Sequence, residues 1–119
     1  MFDIGFLGGG QLARMSIMAA QKMGLRCLSL ESGETTSASR VAEHVNGEWR
    51  SVADVAKLMA ISKFITLENE FVPANVIEEA AAEVGFDLNQ VIPGPGVLRI
   101  IQDKLLQRQS FAAAGLKGP

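Results

Sequence analysis

Phe6-Leu7-Gly8-Gly9-Gly10-Gln11-Leu12-Ala13-Arg14 is the stretch that decides the reading of this chain. An apolar run from Phe2 to Leu7 stops at three glycines, and beyond Gln11 the residues Leu12, Met15, Ala19 and Met23 recur near helical spacing. A strand, a glycine turn and a helix follow in that order. The turn fits the form G-x-G-x-x-[GA], in which glycines remove side chains and permit backbone torsions closed to other residues. Main-chain N–H groups can then approach a phosphate, and the helix start adds unpaired donors and a partial positive charge. A glycine-rich turn that binds nothing is the alternative, and the motif by itself does not choose a ligand.

Downstream, Gly24 closes the helix and Leu25 to Leu30 is a second apolar run, completing a βαβ unit that calls for a parallel sheet. Ser32 to Ser39 is a Ser/Thr/Gly-rich loop, with a short helical piece over Ala38 to Glu43, and His44 to Trp49 alternates weakly as an edge-like strand. Ser51 and Asp54 resemble a capping box, after which Val52, Val55, Ala56 and Met59 fall at i, i+3, i+4 and i+7. Lys63 to Leu67 is a β-rich run that stops at the acidic cluster Glu68-Asn69-Glu70, the kind of strand end where ligands of open sheets gather.

Pro73 opens a helix at the position proline tolerates best, with Val76, Ile77, Ala80, Ala81 and Val84 as its buried stripe and Gly85 as its end. Val91-Ile92-Pro93 is a brief strand before the turn Gly94-Pro95-Gly96, and Val97 to Ala114 is a last helix with Ile101, Leu105 and Phe111 among its apolar positions. The expected fold is α/β, a Rossmann-like open, mostly parallel sheet with helices on both faces.

Composition sets the outer limits. The 119 residues, 48% of them apolar, supply one ordinary core and one domain spanning 1–119. Eleven basic residues stand against thirteen acidic ones, for a net charge of -2, and no basic block occurs. Nucleic-acid and anionic-membrane surfaces are disfavoured, because both rely on clustered positive charge. Cys27 is the single cysteine, which rules out an intrachain disulfide or thiolate cluster. Met1-Phe2-Asp3-Ile4 lacks the look of a secretory leader, and no stretch approaches the roughly 18 apolar residues of a membrane span, so a cytoplasmic location is expected. Ala112 to Pro119 reads as a helix end, a glycine stop and a proline, the way one segment hands over to another; a fragment of a longer protein is the expectation.

Three segments together resemble one family. Phe6-Leu7-Gly8-Gly9-Gly10-Gln11-Leu12-Ala13-Arg14-Met15 is similar to the opening of the 5-(carboxyamino)imidazole ribonucleotide synthases, whose first strand runs into G-x-G-Q-L-[GA]-R-M. Thr66-Leu67-Glu68-Asn69-Glu70-Phe71-Val72-Pro73 is similar to the family's T-x-E-x-E-x-[VI]-P strand end. Ile101 to Phe111, containing Asp103-Lys104, is similar to its D-[KR]-x-x-[QR]-[KR]-x-x-[FL] helix. Gln11 separates the chain from the formate-dependent glycinamide ribonucleotide transformylases, which resemble G-x-G-E-L-G at that point. Gly9 stands where relatives often carry another small or polar residue.

The resemblance implies a pre-ATP-grasp domain, the first third of a ligase that uses ATP and bicarbonate to carboxylate 5-aminoimidazole ribonucleotide through carboxyphosphate. Gly8, Gly10, Gln11 and Leu12 would then cradle the 5′-phosphate and neighbouring ribose. Glu68 would accept hydrogen bonds from ribose hydroxyls or the substrate amine, work that suits a carboxylate with several lone pairs. Lys104 would reach toward ATP, a solvated surface charge being its alternative. ATP and magnesium would be bound mainly by ATP-grasp domains that this chain lacks, so the domain alone is expected to be inactive, and relatives imply a homodimer at full length.

Other assignments remain open at the level of residues. Glu31 lies roughly twenty residues past the glycines at a strand end, where a dinucleotide fold puts its ribose-binding acid, so an NAD- or FAD-dependent oxidoreductase domain competes. Glu70 is two residues from Glu68, and a paired carboxylate site competes with a charged sheet end facing water. Arg14 suits either a phosphate contact or a surface ion pair, and His44, the only histidine, reads as structural or surface.

Overall fold

The computed structural model describes residues 1–113, those of 105–107 and 109–113 by backbone alone. Strands β1 (Phe2–Leu7), β2 (Cys27–Glu31), β3 (Glu43–Asn46), β4 (Ser62–Leu67) and β5 (Val91–Ile92) alternate with helices α1 (Gln11–Lys22), α2 (Val52–Ala60), α3 (Ala74–Val84) and α4 (Pro95–Ala113). Short 3-10 turns occupy Ala38–Arg40 and Leu88–Gln90. The five strands form one sheet in the order β3-β2-β1-β4-β5, and every pairing is parallel. The expected open α/β sheet with helices on both faces is therefore what forms.

This order has a functional consequence. The chain winds from β1 outward to β3, then returns to the other side of β1 as β4, so the crevice beyond the carboxyl end of β1 lies at a topological switch point. The register aligns Leu7 with Leu30 of β2 and with Leu67 of β4. The residues that follow, Gly8, Glu31 and Glu68, thus leave the sheet at one level.

Side-chain alternation divides the interior into two layers. On one face Leu7, Leu28, Leu30 and Ile65 meet Val55, Leu58 and Met59 of α2 and Ile77 and Ala80 of α3. On the other, Phe6 and Cys27 meet Ala13, Ile17 and Ala20 of α1 and Ala38 of the 3-10 turn. Each large aliphatic side chain buried in such layers contributes about 1.5–3 kcal/mol. Burial also pushes the Cys27 thiol pKa up, with the nearby Asp3 charge adding to the effect.

Local signals act as their chemistry dictates. Ser51 Oγ accepts the Asp54 amide at 3.3 Å to cap α2, and Asp54 Oδ2 accepts the Glu48 amide at 2.9 Å. Gly85 ends α3 at φ 68°, a left-handed conformation in which a Cβ would be strained. Among the described residues no helix is long and apolar enough to cross a membrane.

Several expectations need correction. The helical spacing of Leu12, Met15, Ala19 and Met23 holds but does not mark the buried side of α1: Leu12 is 64% and Met15 58% exposed, Ala19 and Met23 are exposed too, and the sheet takes Ala13, Ile17 and Ala20. Both sets have helical spacing, and the smaller one lets α1 lie close against β1 and β2. Val84 is exposed, and Pro73 caps α3 from outside rather than occupying its first turn. The third strand stops at Asn46, short of Trp49. The last helix starts at Pro95, two residues early, since proline's fixed φ suits a first helical position and Gly94 can accept the Leu98 amide at 3.0 Å. The stop expected at Gly115 and Pro119, and the packing of Leu105 and Phe111, lie outside the described residues.

Candidate functional site

Because the ends of β1, β2 and β4 are level, two acids converge on the glycine turn. The Gly10 amide donates to Glu68 Oε2 at 2.6 Å, and the Gly9 amide to Glu31 Oε2 at 3.2 Å. The Gly8 amide continues the sheet by donating to the Leu30 carbonyl at 2.9 Å. All three glycine amides are therefore engaged by protein acceptors. A phosphate can reach those of Gly9 and Gly10 only by displacing a carboxylate.

The glycines are required by the same approach. A Cβ at Gly8, whose φ is 117°, would stand 2.7 Å from Glu68 Cβ, and one at Gly9 would stand 2.9 Å from Glu31 Cβ. Any side chain at Gly10 would collide with the Glu68 carboxylate. Small residues in this turn thus admit the domain's own acids. Free donors remain one step further on, at Gln11, Leu12 and Ala13, whose amides begin α1 and have no intrahelical acceptor.

Around this centre the side chains are polar on one flank and apolar on the other. Gln11 Oε1 accepts the Ser37 hydroxyl at 3.0 Å, and Glu31 Oε1 accepts the Ser32 amide at 3.1 Å, which ties the turn to the loop after β2. On the opposite flank, α1 leaves β4 and β5 uncovered. Phe64, Thr66 and Ile92 line a cavity of about 660 Å³ whose walls include Leu12, Ser16 and Glu68. A smaller cavity of about 210 Å³ adjoins Glu68, Glu70, Pro93 and Leu98 beyond the strand ends. Glu68 borders both spaces.

Residues 1–102 match the family model of the ribonucleotide synthetase preATP-grasp domain. The chain belongs to this family. An N5-carboxyaminoimidazole ribonucleotide synthase from Mycobacterium bovis is 34% identical over 98% of the chain and 26% of its own length. The crystal structure of N5-carboxyaminoimidazole ribonucleotide synthetase from Thermotoga maritima superposes with a TM-score of 0.78 at 29% identity, over 97% of this chain and 31% of that one. An Aspergillus clavatus N5-carboxyaminoimidazole synthase, solved in complex with ADP and 5-aminoimidazole ribonucleotide, gives 0.74 at 28% identity, over 96% and 30%. The chain spans less than a third of each of these relatives.

Within the preATP-grasp domain, the residues singled out from sequence do not all meet. Gly8, Gly10, Gln11, Leu12 and Glu68 gather at the mouth of α1. Lys104 is exposed on α4. Arg14 is half-buried in the first turns of α1 and forms no ion pair among the described residues. His44 Nε2 donates to the Gly33 carbonyl at 2.7 Å. Glu70 offers its backbone rather than its carboxylate: its carbonyl and that of Val72 both accept Gln102 Nε2 at 2.9 Å. No cluster of three metal-ligating side chains occurs among the described residues.

Two of these roles escaped the sequence reading. Gln102 pins α4 to the acidic loop after β4, and its place in the Asp103-Lys104 helix motif was the one available hint. Glu31 was legible only as a ribose-binding acid of a dinucleotide fold. Its two oxygens instead face backbone amides of Gly9 and Ser32.

Proposed function

We propose that this domain is the substrate-binding part of an ATP-dependent ligase that carboxylates 5-aminoimidazole ribonucleotide with bicarbonate in de novo purine biosynthesis. Gly8, Gly10, Gln11, Leu12 and Glu68 hold the ribonucleotide. The amides of Gln11 and Leu12, at the positive end of α1, suit its phosphate, and Glu68 suits the hydroxyls or amine of the remainder. The observation that carries this reading is the placement of Glu68 beside Gly10 at the mouth of α1, in a chain whose family relatives carry that activity.

Lys104 extends toward ATP, as a fixed cation near a triphosphate. Magnesium and most of the ATP contacts belong to ATP-grasp domains that lie outside this chain, and the isolated domain does not turn over substrate. The complete ligase is a cytoplasmic homodimer. Enclosure of the ribonucleotide requires those further domains.

Thermal unfolding in the presence of 5-aminoimidazole ribonucleotide, ATP or NAD tests the assignment. A ligand that binds only the folded state raises the midpoint, and the more so the further its concentration exceeds its dissociation constant. Stabilisation by the ribonucleotide supports the reading, whereas stabilisation by NAD alone replaces it with a dinucleotide-binding one.

A further inference from the structure

The edge strand β3 carries two polar side chains, His44 and Asn46, that lie on one side of it because they are two residues apart. Both reach the same glycine. His44 Nε2 donates to the Gly33 carbonyl at 2.7 Å, and Asn46 Oδ1 accepts the Gly33 amide at 2.9 Å. Gly33 has φ 111°, and a Cβ there would meet nothing closer than 3.9 Å, so glycine is demanded by the torsion rather than by space. One residue thereby gives both of its backbone groups to β3.

The clasp holds the loop from Ser32 to Ser37. None of the side chains in this loop is buried, so hydrogen bonds rather than apolar packing must fix its course. Thr36 and Ser39 lock its far end reciprocally: the Thr36 amide donates to Ser39 Oγ at 2.7 Å, and the Ser39 amide to Thr36 Oγ1 at 3.1 Å. There the loop runs against the glycine turn. The Ala38 amide donates to the Gly9 carbonyl at 2.9 Å, a Cβ at Gly9 would stand 3.0 Å from Thr36 Oγ1, and the Ser37 hydroxyl donates to Gln11 Oε1 at 3.0 Å.

That last bond has a chemical consequence. A carboxamide has an acceptor end and a donor end, and with Oε1 taken by Ser37 the end left to meet a ligand is Nε2, which makes no hydrogen bond among the described residues. Two N–H donors suit an acceptor-only group such as a phosphate oxygen. An amide released from Ser37 could turn either end to the ligand and would lose that preference.

We propose that His44 and Asn46 are positioning residues for ribonucleotide binding: by clasping Gly33 from the edge strand they hold the loop so that Ser37 fixes the Gln11 carboxamide with its donors toward the ligand. The inference rests on the ribonucleotide assignment and deepens it. Neither residue touches the ligand; both act through the loop.

Calorimetric titration of the chain with 5-aminoimidazole ribonucleotide tests this, with ¹H–¹⁵N spectra following the Gln11 side-chain amide. His44→Phe and Asn46→Ala each remove one bond to Gly33, and Ser37→Ala removes the link to Gln11. Each should weaken binding about three- to tenfold, the worth of one lost hydrogen bond. Each should also move the Gln11 side-chain resonances before any ligand is added, which a general loss of stability would not do. His44→Gln, which keeps an N–H donor, should recover most of the affinity. Asp87→Ala, which removes the cap of the 3-10 turn leading into the start of β5, should lower the unfolding midpoint and leave affinity unchanged. Should His44→Phe fail to fold, Asn46→Ala and the exposed change Ser37→Ala decide the matter. Binding by the wild type with undiminished affinity in the clasp variants and in Ser37→Ala would overturn the proposal and leave the ribonucleotide assignment standing. No binding by the wild type would remove the assignment and the proposal together.

Discussion

Glu68 and Gly10 are 58 positions apart in sequence, yet the carboxylate of one accepts the amide of the other at 2.6 Å. The contact exists because β4 lies beside β1 with Leu67 level with Leu7, so that both chains leave the sheet at the same height. It links the first crossover to the returning half of the sheet at the topological switch point.

A Cβ at position 10 would strike that carboxylate. Gly10→Ala should cost about 1–3 kcal/mol, the usual scale of overpacking. In a Glu68→Ala background the same change should cost much less, because the colliding group is gone. Urea unfolding of the four proteins in the cycle measures the coupling. Equal costs in the two backgrounds would show that the turn is not held by Glu68.

Leu30 sits fully buried between β1 and β3, in the layer that receives α2. Leu30→Ala should lose about 2–5 kcal/mol, through lost apolar transfer and the cavity left behind. The loss should be visible as a lower denaturant midpoint at unchanged slope, since the unfolded surface is nearly the same. A cost below 1 kcal/mol would contradict the close packing of this layer.

Ser51 caps α2 with its side chain, accepting the orphan Asp54 amide at 3.3 Å. Ser51→Ala should destabilise by about 1 kcal/mol, whereas Ser51→Asp, which retains an acceptor oxygen, should restore most of it. Circular dichroism during thermal unfolding distinguishes the two. Failure of aspartate to rescue would point to a role other than capping.

Asp3 gives the fold a predictable acid limb. A hydrogen bond from the Arg26 amide at 2.8 Å, assisted by the Lys63 ammonium at 3.6 Å, holds its carboxyl below the usual carboxylate range. A carboxyl depressed in the folded state stabilises above its unfolded pKa, about 3.9, and that contribution is lost as pH falls through the folded value. The difference in stability between wild type and Asp3→Asn should therefore be constant near neutrality and shrink below about pH 4. A difference that stays constant from pH 7 to pH 2 would refute the linkage.

Much of the architecture was legible in single positions. The Ser51–Asp54 cap, the αL glycine at Gly85, and the alternation of short apolar runs with helical spacing all act through neighbours a few residues away, so their effects are present in the sequence as written. The boundaries that shifted did so where longer contacts intervene. Val84, though in phase with the buried stripe of α3, extends past the edge of the layer it would join.

The sequence by itself determined the order of strands and helices, the glycine turn after the first strand, and the three segments that tie the chain to the ribonucleotide synthetase preATP-grasp family, because periodicity, turn chemistry and motif spacing are local. Only the tertiary structure decided which side of α1 is buried, where Glu31 and Glu68 point, and that the glycine amides are filled by acids. Two apolar stripes on one helix are equivalent until a sheet is packed against one of them. The direction of a carboxylate at a strand end is likewise set by the register of the strand beside it.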